Sequence, residues 1–141
     1  MTRTLISLLV SIALAQSLCA ATAADLVGVW VVDTDATWVK LQTLPQLSGL
    51  SAEQKVTAKD MLVTQLASVQ FTFTVDKLIS NMGGQNKTET YKVAASTDAG
   101  ITCEGTDELG VITRSLVKVS GNTMNITNAA EPTQEIVLKR K

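Results

Sequence analysis

Gln70-Phe71-Thr72-Phe73-Thr74-Val75 decides the fold. Phe71, Phe73 and Val75 alternate with Gln70, Thr72 and Thr74, so every second side chain is apolar, as in a strand with one face buried. The stretch just before it repeats differently. Ala58, Leu62, Leu66 and Val69 recur at helical spacing, with Lys55, Lys59 and Asp60 among the polar positions. Ser51 can cap the N-terminus of this helix, Gln54 completes a capping box, and Glu53 favours the positive end of the helix dipole. The sequence therefore predicts one helix, lying as a lid on an apolar surface, that gives way to a strand at Gln70.

Working outward, Leu26-Val27-Gly28-Val29-Trp30-Val31-Val32 reads as a strand ending at Asp33, with Gly28 marking a bulge or a close approach. Downstream, Leu78 to Met82, Thr88 to Ala94, Ile101 to Glu104, Val111 to Val119, Met124 with Ile126, and Glu135 to Arg140 read as further strands. The turns between them are Asp76-Lys77, Gly83 to Asn86, Thr97 to Gly100, Gly105 to Gly110, Ser120 to Thr123 and Asn128 to Thr133. About eight short strands at roughly 8–12 residue spacing make the chain mainly β, an antiparallel up-and-down meander closing as a small barrel. One α-helix is inserted after the first strand.

Met1 to Ala23 has a different character. Arg3, an apolar run from Leu5 to Leu18 and the small residues Ala21-Thr22-Ala23 form the pattern of an export signal, giving a signal segment 1–23 and one domain, 24–141. A spanning helix needs about 20 mostly apolar residues, so no integral membrane segment is expected once the signal is removed. The expected address is outside the cytoplasm, in the periplasm of a Gram-negative bacterium or secreted. Gln16 and Leu18 do not fit the pattern that would lipidate Cys19. That leaves Cys103 as the lone cysteine of the domain, unable to form an internal disulfide and placed by alternation with Ile101 on a buried face.

Composition narrows the chemistry. The chain has 141 residues, no histidine, and 12 basic against 13 acidic residues for a net charge of −1. Without histidine there is no Ser-His-Asp, Cys-His or His-zinc site, and without a basic footprint no nucleic-acid partner is expected. Asp33 with Asp35, and Glu104 with Asp107 and Glu108, are the acidic groupings. They lack calcium-loop offsets and read as solvated loop acids. Gly83-Gly84 joins two strands and is a turn, not a phosphate loop. The sequence thus predicts no enzyme, no metal and no cofactor.

Gly28-Val29-Trp30, Phe71-Thr72-Phe73, Met82-Gly83-Gly84, Thr90-Tyr91-Lys92-Val93 and the final Val137 to Lys141 together resemble a small bacterial lipocalin-like domain of the wider calycin group. The resemblance implies that Trp30 closes one end of the barrel with a basic residue over its indole, and carries over Gly28, Trp30 and Arg140 as structural positions. Strand parity puts Arg140 on the same face as Ile136 and Leu138, where it can stack on Trp30. The chain departs from lipocalins in its helix, which they place late.

Two functions follow as expectations. One is a binding protein holding a small apolar ligand in or at the mouth of the barrel, with Trp38, Phe71, Phe73 and Met82 as the wall. Trp38 lies between the first strand and the helix, where it can cover the mouth or staple the helix to the barrel. The other is a protein-interaction or inhibitor module acting through the helix and the 34–50 loop, which carries Leu44, Leu47 and Leu50.

Overall fold

Gly28 and Trp30 show how the barrel begins. The computed structural model describes residues 21–141, so the expected signal falls outside the described residues except for Ala21 to Ala23. Strand β1 covers Gly28–Val32, and β2 to β8 cover Gln70–Phe73, Lys77–Met82, Gln85–Thr97, Gly100–Thr106, Ile112–Ser120, Thr123–Asn128 and Glu131–Arg140. Each strand pairs antiparallel with the next, and β8 returns to β1 through Trp30 opposite Arg140. The meander closes into a barrel of eight strands, which leaves no open sheet edge for another chain to pair with.

Residues opposite each other on neighbouring strands share a face, so the interior can be read from Trp30 around the ladder. Trp30 faces Phe71, Ile101 faces Val117, and Met124 faces Leu138. Trp30, Ile101, Met124 and Leu138 are fully buried, and Val32, Phe73, Tyr91 and Cys103 join them in one continuous core. Each such side chain contributes about 1.5–3 kcal/mol by leaving water. Phe73 and Tyr91 meet edge to face, ring centroids 5.6 Å apart, and the Tyr91 hydroxyl donates to the Thr74 carbonyl at 2.5 Å. That bond ties the β2–β3 turn to β4.

The single expected helix is corrected to four helical segments among the described residues: α1 Ala23–Leu26, α2 Thr34–Leu41, α3 Pro45–Ser48 and α4 Ala52–Leu66. Leu26, read as strand, is in α1 and fully buried. The Asp33 carboxylate caps α2, accepting from the Ala36 N–H at 3.0 Å. Helix α2 takes over where β1 stops. The Asp33 N–H donates to the Val137 carbonyl at 2.8 Å, and the buried Thr37 hydroxyl bonds both the carbonyl and the N–H of Val137. Pro45 opens α3, and Leu44 before it is extended as expected.

Helix α4 has the expected capping box, Ser51 and Gln54 bonding reciprocally at 3.2 and 2.9 Å. Its role as a lid is smaller than its spacing suggests, because none of its residues is fully buried. It packs on α2, where Lys59 pairs with Asp35 at 2.8 Å, and reaches the core through Leu66. Strand β8 begins at Glu131 and not at Glu135, which shortens the expected Asn128 to Thr133 turn. Among the described residues no helix is long and apolar enough to cross a membrane.

Candidate functional site

The barrel has two unlike ends. At the end where β1 starts, Arg140 lies over the Trp30 indole with its guanidinium carbon 4.3 Å from the ring centroid, as the parity of β8 predicts. The same guanidinium donates to the Asp25 and Val27 carbonyls at 2.9 and 3.0 Å, while the Trp30 N–H donates to the Leu26 carbonyl at 2.8 Å. Helix α1 is thus bolted across this end by donors from β1 and β8. The close approach expected at Gly28 is also present, since a Cβ there would stand 2.7 Å from Arg140 Nη1. These three residues close the barrel structurally.

The other end is more polar. Following the ladders upward, the inward positions change from apolar to polar: Phe71 leads across to Ser80 and Lys87, and Cys103 to Ser115 and Asn128. Ser80 is nearly buried and forms a floor. Above it Lys87 and Glu89 pair at 2.6 Å, and the Glu89 carboxylate reaches toward Gly105 on β5. Hydrogen bonding and attraction from Glu89 raise the Lys87 ammonium above its ordinary range. Ile136, in register with Ile126, stays 38% exposed. Met82, Leu109, Val111 and Ile112 add exposed apolar side chains on the rim.

The four expected wall residues do not form one wall. Phe73 is spent in the core against Tyr91, and Phe71 packs partly buried beside it, at the floor. Met82 ends β3 at the rim. Trp38 is buried on α2, which lies along β8, so the stapling role describes its position better than covering the mouth does. Lys87, Glu89 and Ile136 lie outside the wall that the sequence predicts. Counting back by twos from Tyr91 places Glu89 and Lys87 inward, but polar residues at core parity are read as solvent-facing unless the barrel is known to open there.

The acidic groupings have structural work. Asp33 caps α2 and Asp35 pairs with Lys59, whose hydrogen bond and charge hold the Asp35 carboxyl below its ordinary range. Asp107 accepts from the Leu109 and Val111 N–H groups at 2.9 Å each, and Glu104 lies beside Arg114 and Lys92 on the outer face. Among the described residues no group of three or more His, Cys, Asp or Glu could hold a metal ion. A concavity of about 320 Å³ lies away from the barrel, on the outer face of α4 beside Thr57, Asp60, Met61, Thr64 and Gln65.

Cys103 is buried in the core, and burial pushes its thiol above its ordinary value of 9.0. Burial likewise raises Tyr91 above 10.0, and the nearby Cys103 and Asp76 add to the effect. In the unfolded chain both groups lose their protons first, so the folded state binds more protons from about pH 9 upward and stability falls with rising pH there. Below that range the contribution is fully present. The urea midpoint is expected to drop between about pH 8 and pH 10.5, and Cys103→Ala to delay the onset toward the tyrosine range. A flat midpoint across this window would show that neither group is protected.

No protein-family model matches the chain, and no curated protein matches it. Among solved structures, the chain is similar to the crystal structure of a DUF4847 family protein from Bacteroides vulgatus, with a TM-score of 0.50 and 10% sequence identity. The likeness covers 82% of this chain and 94% of that one. At this identity it shows the fold alone.

Proposed function

We propose that the chain is an exported, non-catalytic lipocalin-like binding protein that takes a small apolar ligand at the open mouth of its barrel. One observation carries the reading. Trp30 and Phe73 lie in a filled core, whereas Ile136, at inward parity toward the other end, stays 38% exposed, and Met82, Val111 and Ile112 near the strand ends there are exposed as well. A ligand would rest on the Phe71–Ser80 floor, above the packed core. The charged pair of Lys87 and Glu89 at 2.6 Å favours an apolar body with a small polar group over a pure hydrocarbon.

The test uses N-phenyl-1-naphthylamine, a neutral fluorescent apolar probe. The wild-type chain is expected to bind it, and Ile136→Arg to weaken binding about tenfold, since burying one isoleucine contributes about 1.5–3 kcal/mol. Its unfolding midpoint should stay unchanged because Ile136 is not in the core. Failure of the wild type to enhance the probe's fluorescence would sink the reading. It would move weight to the second one, a protein-interaction module on the helical side, which draws on Val56 and Met61 standing 61% and 62% exposed on α4.

A further inference from the structure

Ala21 and Thr22 behave as parts of the barrel, although the residue pattern places the end of the export signal after Ala23. The Ala21 carbonyl accepts from the Ser96 hydroxyl at 2.7 Å, a bond between the first described residue and the far end of β4. The Ala21 side chain packs against the buried core. The Thr22 N–H donates to the Asp25 carboxylate at 2.6 Å, and the Asp25 N–H returns a bond to the Thr22 carbonyl at 3.0 Å, which together start α1. Helix α1 in turn supplies the carbonyls that Arg140 and Trp30 use to close the barrel.

From this geometry we infer that the export signal is cut ahead of Thr22, so that the α1 start remains on the mature protein. Resting on the export reading above, the inference concerns where the signal ends and is separable from whether one exists. Of the two bonds just ahead of Thr22, one fits the pattern at both positions. Cleavage after Ala21 has Cys19 and Ala21, both small, at the positions where Ala-x-Ala signals carry small residues, whereas cleavage after Ala20 keeps Ala20 beside the cut bond but puts the large Leu18 at the other position. In either case the exporting cell's signal endopeptidase adds one water across one peptide bond. The upstream fragment leaves with a new carboxylate, and the domain keeps a new amino group. If that group is the amine of Thr22, it stands 2.6 Å from the Asp25 carboxylate as an ion pair. Cleavage after Ala21 gives up the Ala21 bond and core contact but keeps the Thr22 cap, whereas cleavage after Ala23 discards all three and leaves α1 to begin at its own first residues.

The experiment is expression of the full chain in a Gram-negative host, release of the periplasmic fraction, and intact mass with N-terminal sequencing of the purified protein. A first residue of Ala21 or Thr22 supports the inference. A first residue of Ala24 overturns it while leaving export intact, and an unprocessed Met1 overturns the export reading on which it rests. A second arm compares chains made to begin at Ala21 and at Ala24 by thermal unfolding. The shorter chain is expected to melt at least about 3 °C lower, and equal melting temperatures would overturn the claim that these residues belong to the fold.

Discussion

Replacing Trp30 with alanine is expected to cost about 3–5 kcal/mol of folding stability, read as a fall in the urea midpoint at unchanged slope. Three losses combine. The indole is fully buried at the closed end, so its removal forfeits the transfer of a large side chain and leaves a cavity under α1. The Leu26 carbonyl, itself on a fully buried residue, loses the indole N–H that it accepts at 2.8 Å. Arg140 loses the ring beneath it, a contact of about 0.5–2 kcal/mol. Trp30→Phe keeps much of the volume and drops the N–H donor, and should cost less than half as much. A Trp30→Ala loss below about 1.5 kcal/mol would mean that α1 collapses into the vacated space.

How much of this was legible in the sequence depends on whether a signal was local. The alternation through Phe71 and Phe73, the Ser51 capping box and the parity linking Arg140 to Leu138 are each written within a few residues, and the structure has all three, although β2 ends at Phe73 and Val75, expected on the buried face, is 81% exposed in the turn. Helix α2 is different. Thr34-Asp35-Ala36-Thr37-Trp38-Val39 is poor in strong helix formers. Part of what holds it is the Thr37 hydroxyl on the Val137 backbone, a partner 100 residues away. Helix α1 is only four residues long and depends on Ser96, Trp30 and Arg140, which explains why Leu26 reads as strand from its β-branched neighbours. Lys87 and Glu89 are illegible for a third reason: they occupy inward parity, where alternation predicts apolar residues, and only the pairing of β3 with β4 places them at that end of the barrel.

Gly100→Ala is expected to destabilise the barrel by about 2–4 kcal/mol, and by more than Gly28→Ala, although the two glycines look alike from their backbones. Both have positive φ, +135° at Gly100 and +141° at Gly28, which L side chains rarely adopt, so each substitution carries a strain of about 1–3 kcal/mol. In both places a new Cβ would find a heavy atom at 2.7 Å. What differs is the obstacle. At Gly28 it is Nη1 of Arg140, the far end of a flexible side chain that can swing away at the loss of its stack on Trp30 and its bonds to α1. At Gly100 it is the backbone carbonyl oxygen of Val117, on a strand whose side chain is buried in the core, so β5 and β6 must separate to make room. Arg140→Ala should therefore relieve part of the Gly28→Ala defect in a double-mutant cycle, and should leave the Gly100→Ala defect additive. Equal losses for the two glycine variants, with no coupling to Arg140, would show that backbone strain alone sets the cost and that the closed end tolerates displacement of its arginine.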